Sequence, residues 1–125
     1  MTKDGMRMFD ETSFDGAVLR SPMPVLVEFG ATWCPPCKAL APVVHALANE
    51  HLGRLEVGEV NVDDSPSLAV RFGVRAVPTL VVFAGGTERA RHVGLASRAK
   101  IVAMLDGVVA RSEDAASSPG TRAGT

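Results

Sequence analysis

One eight-residue stretch constrains this chain more than any other: Ala31-Thr32-Trp33-Cys34-Pro35-Pro36-Cys37-Lys38. It holds both cysteines and the only tryptophan, and it lies between two apolar runs, 25–29 and 40–52. Two successive prolines have fixed φ and no backbone N–H, so in a helix they fit only the first turn. The helix is therefore expected to open at Pro35 and Pro36, with Cys34 as its cap. On a first turn, an i, i+3 pair brings its α-carbons to about 5 Å, within disulfide range.

The two cysteines are not equivalent in this setting. Cys34 is predicted to be exposed, with its sulfur facing the positive end of the helix dipole, whereas Cys37 falls on the apolar stripe Cys37, Leu40, Val44, Leu47 and His51. Cys34 then attacks as the thiolate, and Cys37 resolves the mixed disulfide. Prolines at 35 and 36 supply no amide to the cap, which leaves only the Cys37 N–H and sulfhydryl to stabilise the Cys34 thiolate. A zinc site needs two more ligands, and only His45 and His51 stand nearby. Their spacing is too short for a finger, and on a continuous helix His45 sits about 16 Å along the axis from Cys34. The same distance removes His45 as the base of a Cys–His hydrolase. An inert pair is the remaining alternative.

The rest of the chain reads as alternating strands and helices. Residues 6–9 suit a short edge strand, and Thr12 or Ser13 a helix N-cap, with Phe14, Val18 and Leu19 as the apolar stripe. The run 25–29 is apolar on both faces except at Glu28, as in a central strand covered on both sides. Pro42 falls inside the long helix and is expected to kink it, and Gly53 closes it. A period of two over 55–62 gives a strand, and Ser65-Pro66 opens a short helix to about Phe72. Residues 79–83 form a second apolar strand. Ala84-Gly85-Gly86-Thr87 turns into a last strand near 88–93, and Ser97 caps a final helix with Ile101, Met104, Leu105 and Val108 buried. Residues 1–111 read as one domain and 112–125, without periodicity, as a disordered tail. The fold class is α/β, a central mixed β-sheet flanked by helices on both faces.

Charge and composition narrow the function classes. Thirteen basic against fourteen acidic residues leave a net charge of −1, with no electrostatic footprint for nucleic acid or a membrane surface. No apolar stretch is long enough to span a bilayer, and the first residues have no signal-like apolar core. A cytosolic location is the expectation, where thiols stay reduced unless they cycle. As a permanent staple, two cysteines this close would close only a tiny loop and stabilise little. Neither a cofactor nor a metal is expected, and the chain is expected to act as a monomer.

By its motifs the chain resembles the thioredoxin family. The resemblance rests on Ser13-Phe14-Asp15, Val25-Leu26-Val27-Glu28-Phe29, Trp33-Cys34-Pro35-Pro36-Cys37-Lys38, Ala41-Pro42, Val60-Asn61-Val62-Asp63, the run 72–80 containing Val77-Pro78-Thr79, and Val93-Gly94. It implies a thioredoxin fold that reduces protein disulfides by dithiol exchange through Cys34 and Cys37. Electrons would come from a flavoprotein thioredoxin reductase, and the chain would serve as a general electron donor. A more oxidising or partner-specific exchange protein, or a partner-binding module, is the alternative.

The resemblance also implies a cis peptide bond before Pro78, leaving the Val77 backbone free to pair with an extended substrate, against a trans proline that merely starts an edge strand. Trp33, Val77, Pro78 and Gly94 would form the docking surface. Gly94 would serve close approach there, or simply end a strand. Glu28 stands where the family has a buried Asp and would take the Cys37 proton, unless it reaches the strand edge and solvent. Glu59 replaces a common Lys and either points inward, coupled to Glu28, or bends outward. Pro35, in place of the usual glycine, and Pro36 tune the turn, and Gly30 replaces a frequent aromatic.

Overall fold

A computed structural model describes residues 6–117. Strand β1 (Met6–Phe9) is followed by a short π-helical turn (Asp15–Leu19), β2 (Val25–Gly30), α1 (Pro35–Glu50), β3 (Glu56–Asn61), α2 (Pro66–Arg71), β4 (Thr79–Ala84), β5 (Thr87–Val93) and α3 (Arg98–Ser117). The five strands make one sheet in the order β1-β3-β2-β4-β5. β1, β3 and β2 run parallel, and β4 and β5 are antiparallel to their neighbours. β2 is thus the central strand, and its five residues from Val25 to Phe29 are all buried.

Alternation along β2 sorts the core into two layers. Leu26 faces Leu40, Val44 and Leu47 of α1 and Ile101 and Leu105 of α3. Val25, Val27 and Phe29 face the opposite layer, where Phe14, Leu68 and Phe83 pack. Phe14 is its hub, 5.1–6.5 Å between ring centroids from Phe29, Phe72, Phe83 and Phe9. Glu28 shares the α1/α3 side with Leu26, which places a carboxyl under the start of α1.

The turns follow from local chemistry. Gly85 and Gly86 both have positive φ, 61° and 83°, which lets a two-residue loop join β4 to β5. Ser97 Oγ accepts the Lys100 N–H at 3.1 Å and caps α3 as expected. The first cap differs from expectation. Asp10, not Thr12 or Ser13, caps the turn before Phe14: its Oδ1 accepts the N–H groups of Thr12 and Ser13, while Ser13 Oγ accepts the Asp10 N–H. The helical segment that follows is π-wound, its Arg20 N–H reaching the Asp15 carbonyl. Ser65 precedes α2 but makes no side-chain cap; the Glu11 carboxylate supplies it from 56 residues away in the chain, accepting the Ser67 N–H at 3.0 Å. Long-range capping of this kind leaves no local signal. At the other end of the chain α3 runs through residues 112–117, which sequence places in the tail, and the remainder of that tail lies outside the described residues.

Candidate active site

β2 ends at Gly30, and α1 begins five residues later, directly above the sheet. Cys34 occupies the cap position with extended backbone, and Pro35 and Pro36 take the first two helical positions. Cys34 and Cys37 form a disulfide across this turn, with a Cα–Cα separation of 5.3 Å. Cys34 Sγ accepts the Cys37 N–H at 3.2 Å, the one amide the two prolines leave available. Pro42 lies inside α1 on its exposed side.

The expected exposure of Cys34 is not what the fold gives. In the disulfide state both cysteines are buried, Cys34 at 2% and Cys37 at 6% exposure, because Val62 and Val77 pack against them. Orientation, not exposure, separates the two sulfurs. Cys34 Sγ lies 3.8 Å from the Val77 carbonyl oxygen. Cys37 faces the sheet: a methyl group placed on Gly30 would sit 3.3 Å from Cys37 Sγ and 3.4 Å from Glu28 Oε2. Gly30 thus lies close against both groups, and a side chain there would fit only if one of them gave way.

On the Cys34 side the predicted docking residues come together. The Val77–Pro78 peptide is cis, and Pro78 is buried. Its carbonyl accepts the Gly94 N–H at 2.8 Å, which fixes the end of β5 beside it. Gly94 has φ +97°, and nothing lies within 4 Å of an added Cβ. Backbone conformation, not lack of space within the chain, accounts for this glycine. Trp33 is 62% exposed and, with Val77, lines a groove of about 360 Å³ walled by Val62, Ala69, Val70 and Val74. Its indole Nε1 donates to Asp63 Oδ2 at 2.7 Å. Asn61 Oδ1 in turn accepts the amides of Asp63 and Asp64, which stiffens the loop that carries the anchor. No role for Asp63 follows from sequence: thirty residues separate it from Trp33, and only the fold joins them.

Glu28 is 4% exposed, and its Oε1 has no hydrogen-bond partner among the described residues. Burial, and secondarily the charge of Glu59, push its carboxyl from an ordinary 4.5 up to about 7. Glu28 does not reach solvent at a strand edge. Glu59 is its register partner on β3, yet bends outward: a third of its side chain is exposed, and its Oε2 lies 3.6 Å from His45 Nε2. His45, which the sequence excludes as a zinc ligand and as a hydrolase base, is the group that meets this carboxylate.

The family model described as Thioredoxin matches residues 5–107. A relative named "Thioredoxin" from Acidithiobacillus ferridurans is 40% identical over 103 residues, covering 82% of this chain and 95% of the relative. The chain belongs to the thioredoxin family. It is also 37% identical to "Thioredoxin M-type, chloroplastic" from Zea mays and 39% to "Thioredoxin M5, chloroplastic" from Oryza sativa subsp. japonica, covering 87% and 82% of this chain. Its match spans less than two thirds of either plant protein, 65% and 60%. Within the thioredoxin fold, this chain differs from the expected pattern at three contiguous points of one wall: Gly30, Glu28 and Glu59 all line the groove beneath Cys37.

Proposed function

We propose that the chain is a protein-disulfide reductase working by dithiol–disulfide exchange, with Cys34 as nucleophile, Cys37 as resolving thiol and Glu28 as proton acceptor. The observation that carries this is the capped Cys34–Cys37 disulfide on the first turn of α1. In the reduced chain the Cys34 thiolate attacks a substrate sulfur, and the first substrate thiolate leaves. Glu28, with a pKa near neutrality, accepts the Cys37 proton, and Cys37 then attacks Cys34 Sγ. The second substrate thiolate departs, and the disulfide is restored. Two electrons have passed to the substrate.

A reductase suits the cap better than an oxidant does. A couple is oxidising when its thiolate is strongly stabilised, and here one amide alone serves the Cys34 sulfur. Trp33, Val77 and Pro78 hold the substrate strand, whose backbone pairs with Val77. A flavoprotein reductase returns the electrons through the same surface. The reading takes 1–111 as the working domain, acting as a monomer in the cytosol as a general electron donor. An insulin-reduction assay tests it: turbidity should develop with dithiothreitol, or with thioredoxin reductase and its nicotinamide donor. Cys34→Ser should abolish turnover, and equal activity in that variant would end the proposal. Sedimentation and cell fractionation address the monomer and the compartment.

A further inference from the structure

The carboxylate beside Glu28 has a partner of its own. Strand register sets Glu28 of β2 opposite Glu59 of β3, so both side chains leave the same face of the sheet, towards α1. Together they line a groove of about 310 Å³ that also reaches Cys37. Two carboxylates in one poorly solvated space repel, which one of them relieves by turning to solvent and a counter-charge. Glu59 does so: its side chain is part exposed, and its Oε2 lies 3.6 Å from His45 Nε2 on the third turn of α1. Glu28 does not: it is buried, with Oε1 unpartnered among the described residues. The other groups facing Glu28 leave it little else to respond to. Lys38 lines the groove from α1 and is exposed. β1 brings Met8, β4 sets Leu80 opposite Glu28, and α3 covers this side with Ile101, Leu105 and Val108. Arg7 and Glu56 pair with each other at strand positions that alternate to the opposite face.

We propose that His45 is a positioning residue for the proton transfer at Cys37: it holds Glu59 outward and offsets its charge, which keeps Glu28 available as the carboxylate that takes the proton. This rests on Glu28 being the proton acceptor, as above. In the step itself the Cys37 S–H bond breaks, the proton passes to a Glu28 oxygen, and the electron pair stays on Cys37 Sγ for its attack on Cys34 Sγ. An uncompensated Glu59 charge opposes this move, because it favours the protonated carboxyl; after burial it is the second cause of the upward push on Glu28. An imidazolium against Glu59 weakens that opposition, and imidazole is the side chain whose charge changes near neutral pH. His45 acts through Glu59 and not on the sulfurs: eight residues of helix set it about 12 Å along the axis from Cys37.

Two variants at position 45 bracket the effect. His45→Ala removes the anchor, and His45→Lys makes the counter-charge permanent; both residues suit the part-exposed helix surface on which His45 lies. In each, the Glu28 carboxyl is titrated by NMR, and decay of the trapped mixed disulfide is followed against pH. His45→Ala should move the Glu28 midpoint up by about half a pH unit, and His45→Lys should move it down. The acid limb of the decay profile should move with it. His45→Ala then resolves the mixed disulfide about two- to threefold more slowly at pH 6 and at the parent rate at pH 9, where Cys37 ionises unaided. A merely structural role would lower the rate at every pH. In a Glu59→Gln background, His45→Ala should leave the midpoint where it is. A midpoint unmoved by both replacements overturns the proposal. So does a shift that persists in Glu59→Gln, since the imidazole would then act on Glu28 directly. A midpoint that moves while the decay profile stays fixed overturns it as well, but by removing Glu28 as the acceptor and not His45 as its modulator.

Discussion

Glu28 sits on a strand whose every other residue is apolar, and its carboxyl is held near neutrality by burial. Its folded pKa lies above the ordinary 4.5, so the native state keeps the proton longer than the unfolded chain does. The stability tied to the protonated form is complete below pH 4.5 and is lost as pH rises through about 7. Urea unfolding at pH 5 and pH 8 should therefore show a loss on the order of 3 kcal/mol that Glu28→Gln largely removes. An unchanged pH slope in the variant would assign the loss to another group. The same variant should prolong the mixed disulfide about a hundredfold at pH 7, with the defect shrinking towards pH 9 as Cys37 ionises unaided. Rapid-quench trapping of the mixed disulfide measures this. Glu59→Lys exchanges a repelling neighbour for an attracting one and should lower the Glu28 pKa, read by NMR titration of the side-chain carboxyl. A flat comparison would mean that the two carboxyls do not communicate.

Elements here are held by contacts of very different reach. Gly58, in the middle of β3, has no room for a side chain: an added Cβ would sit 2.8 Å from the Arg7 carbonyl oxygen and collide with the Phe9 ring. Gly58→Ala should cost about 1–3 kcal/mol in urea unfolding, because the obstacle is partly backbone on the neighbouring strand. Asp10→Ala removes the acceptor for two amides and should cost about 1 kcal/mol. What was legible in sequence divides along the same line. The strand at 25–29, the helix starting at Pro35 and the glycine turn at 85–86 all arise from patterns within a few residues, and all are found where expected. The cap on α2 by Glu11, the Trp33–Asp63 bond and the Glu59–His45 pair each join residues far apart in the chain, so no local pattern encodes them. The burial of Cys34 has no local signature for the same reason, since Val62 and Val77 cover it from elsewhere in the fold.

For the whole molecule, the arrangement separates fold from function. Two aromatic and aliphatic core layers fill the faces of the sheet, and Cys34 and Cys37 form a small cluster of their own at its end. Trp33→Ala should lower protein-disulfide reduction through KM, by a factor on the order of ten or more, while leaving thermal stability nearly unchanged, because the indole is largely exposed. A comparable loss in melting temperature would contradict this. The small loop that the disulfide closes has a further consequence. Oxidation and unfolding form a thermodynamic cycle, so any stability that the disulfide adds to the fold appears, with opposite sign, in the ease of reducing it. A crosslink over three residues of separation constrains the unfolded chain little, and the main core layers lie outside it. The two forms should therefore melt close together, leaving the fold almost indifferent to whether the pair is oxidised or reduced.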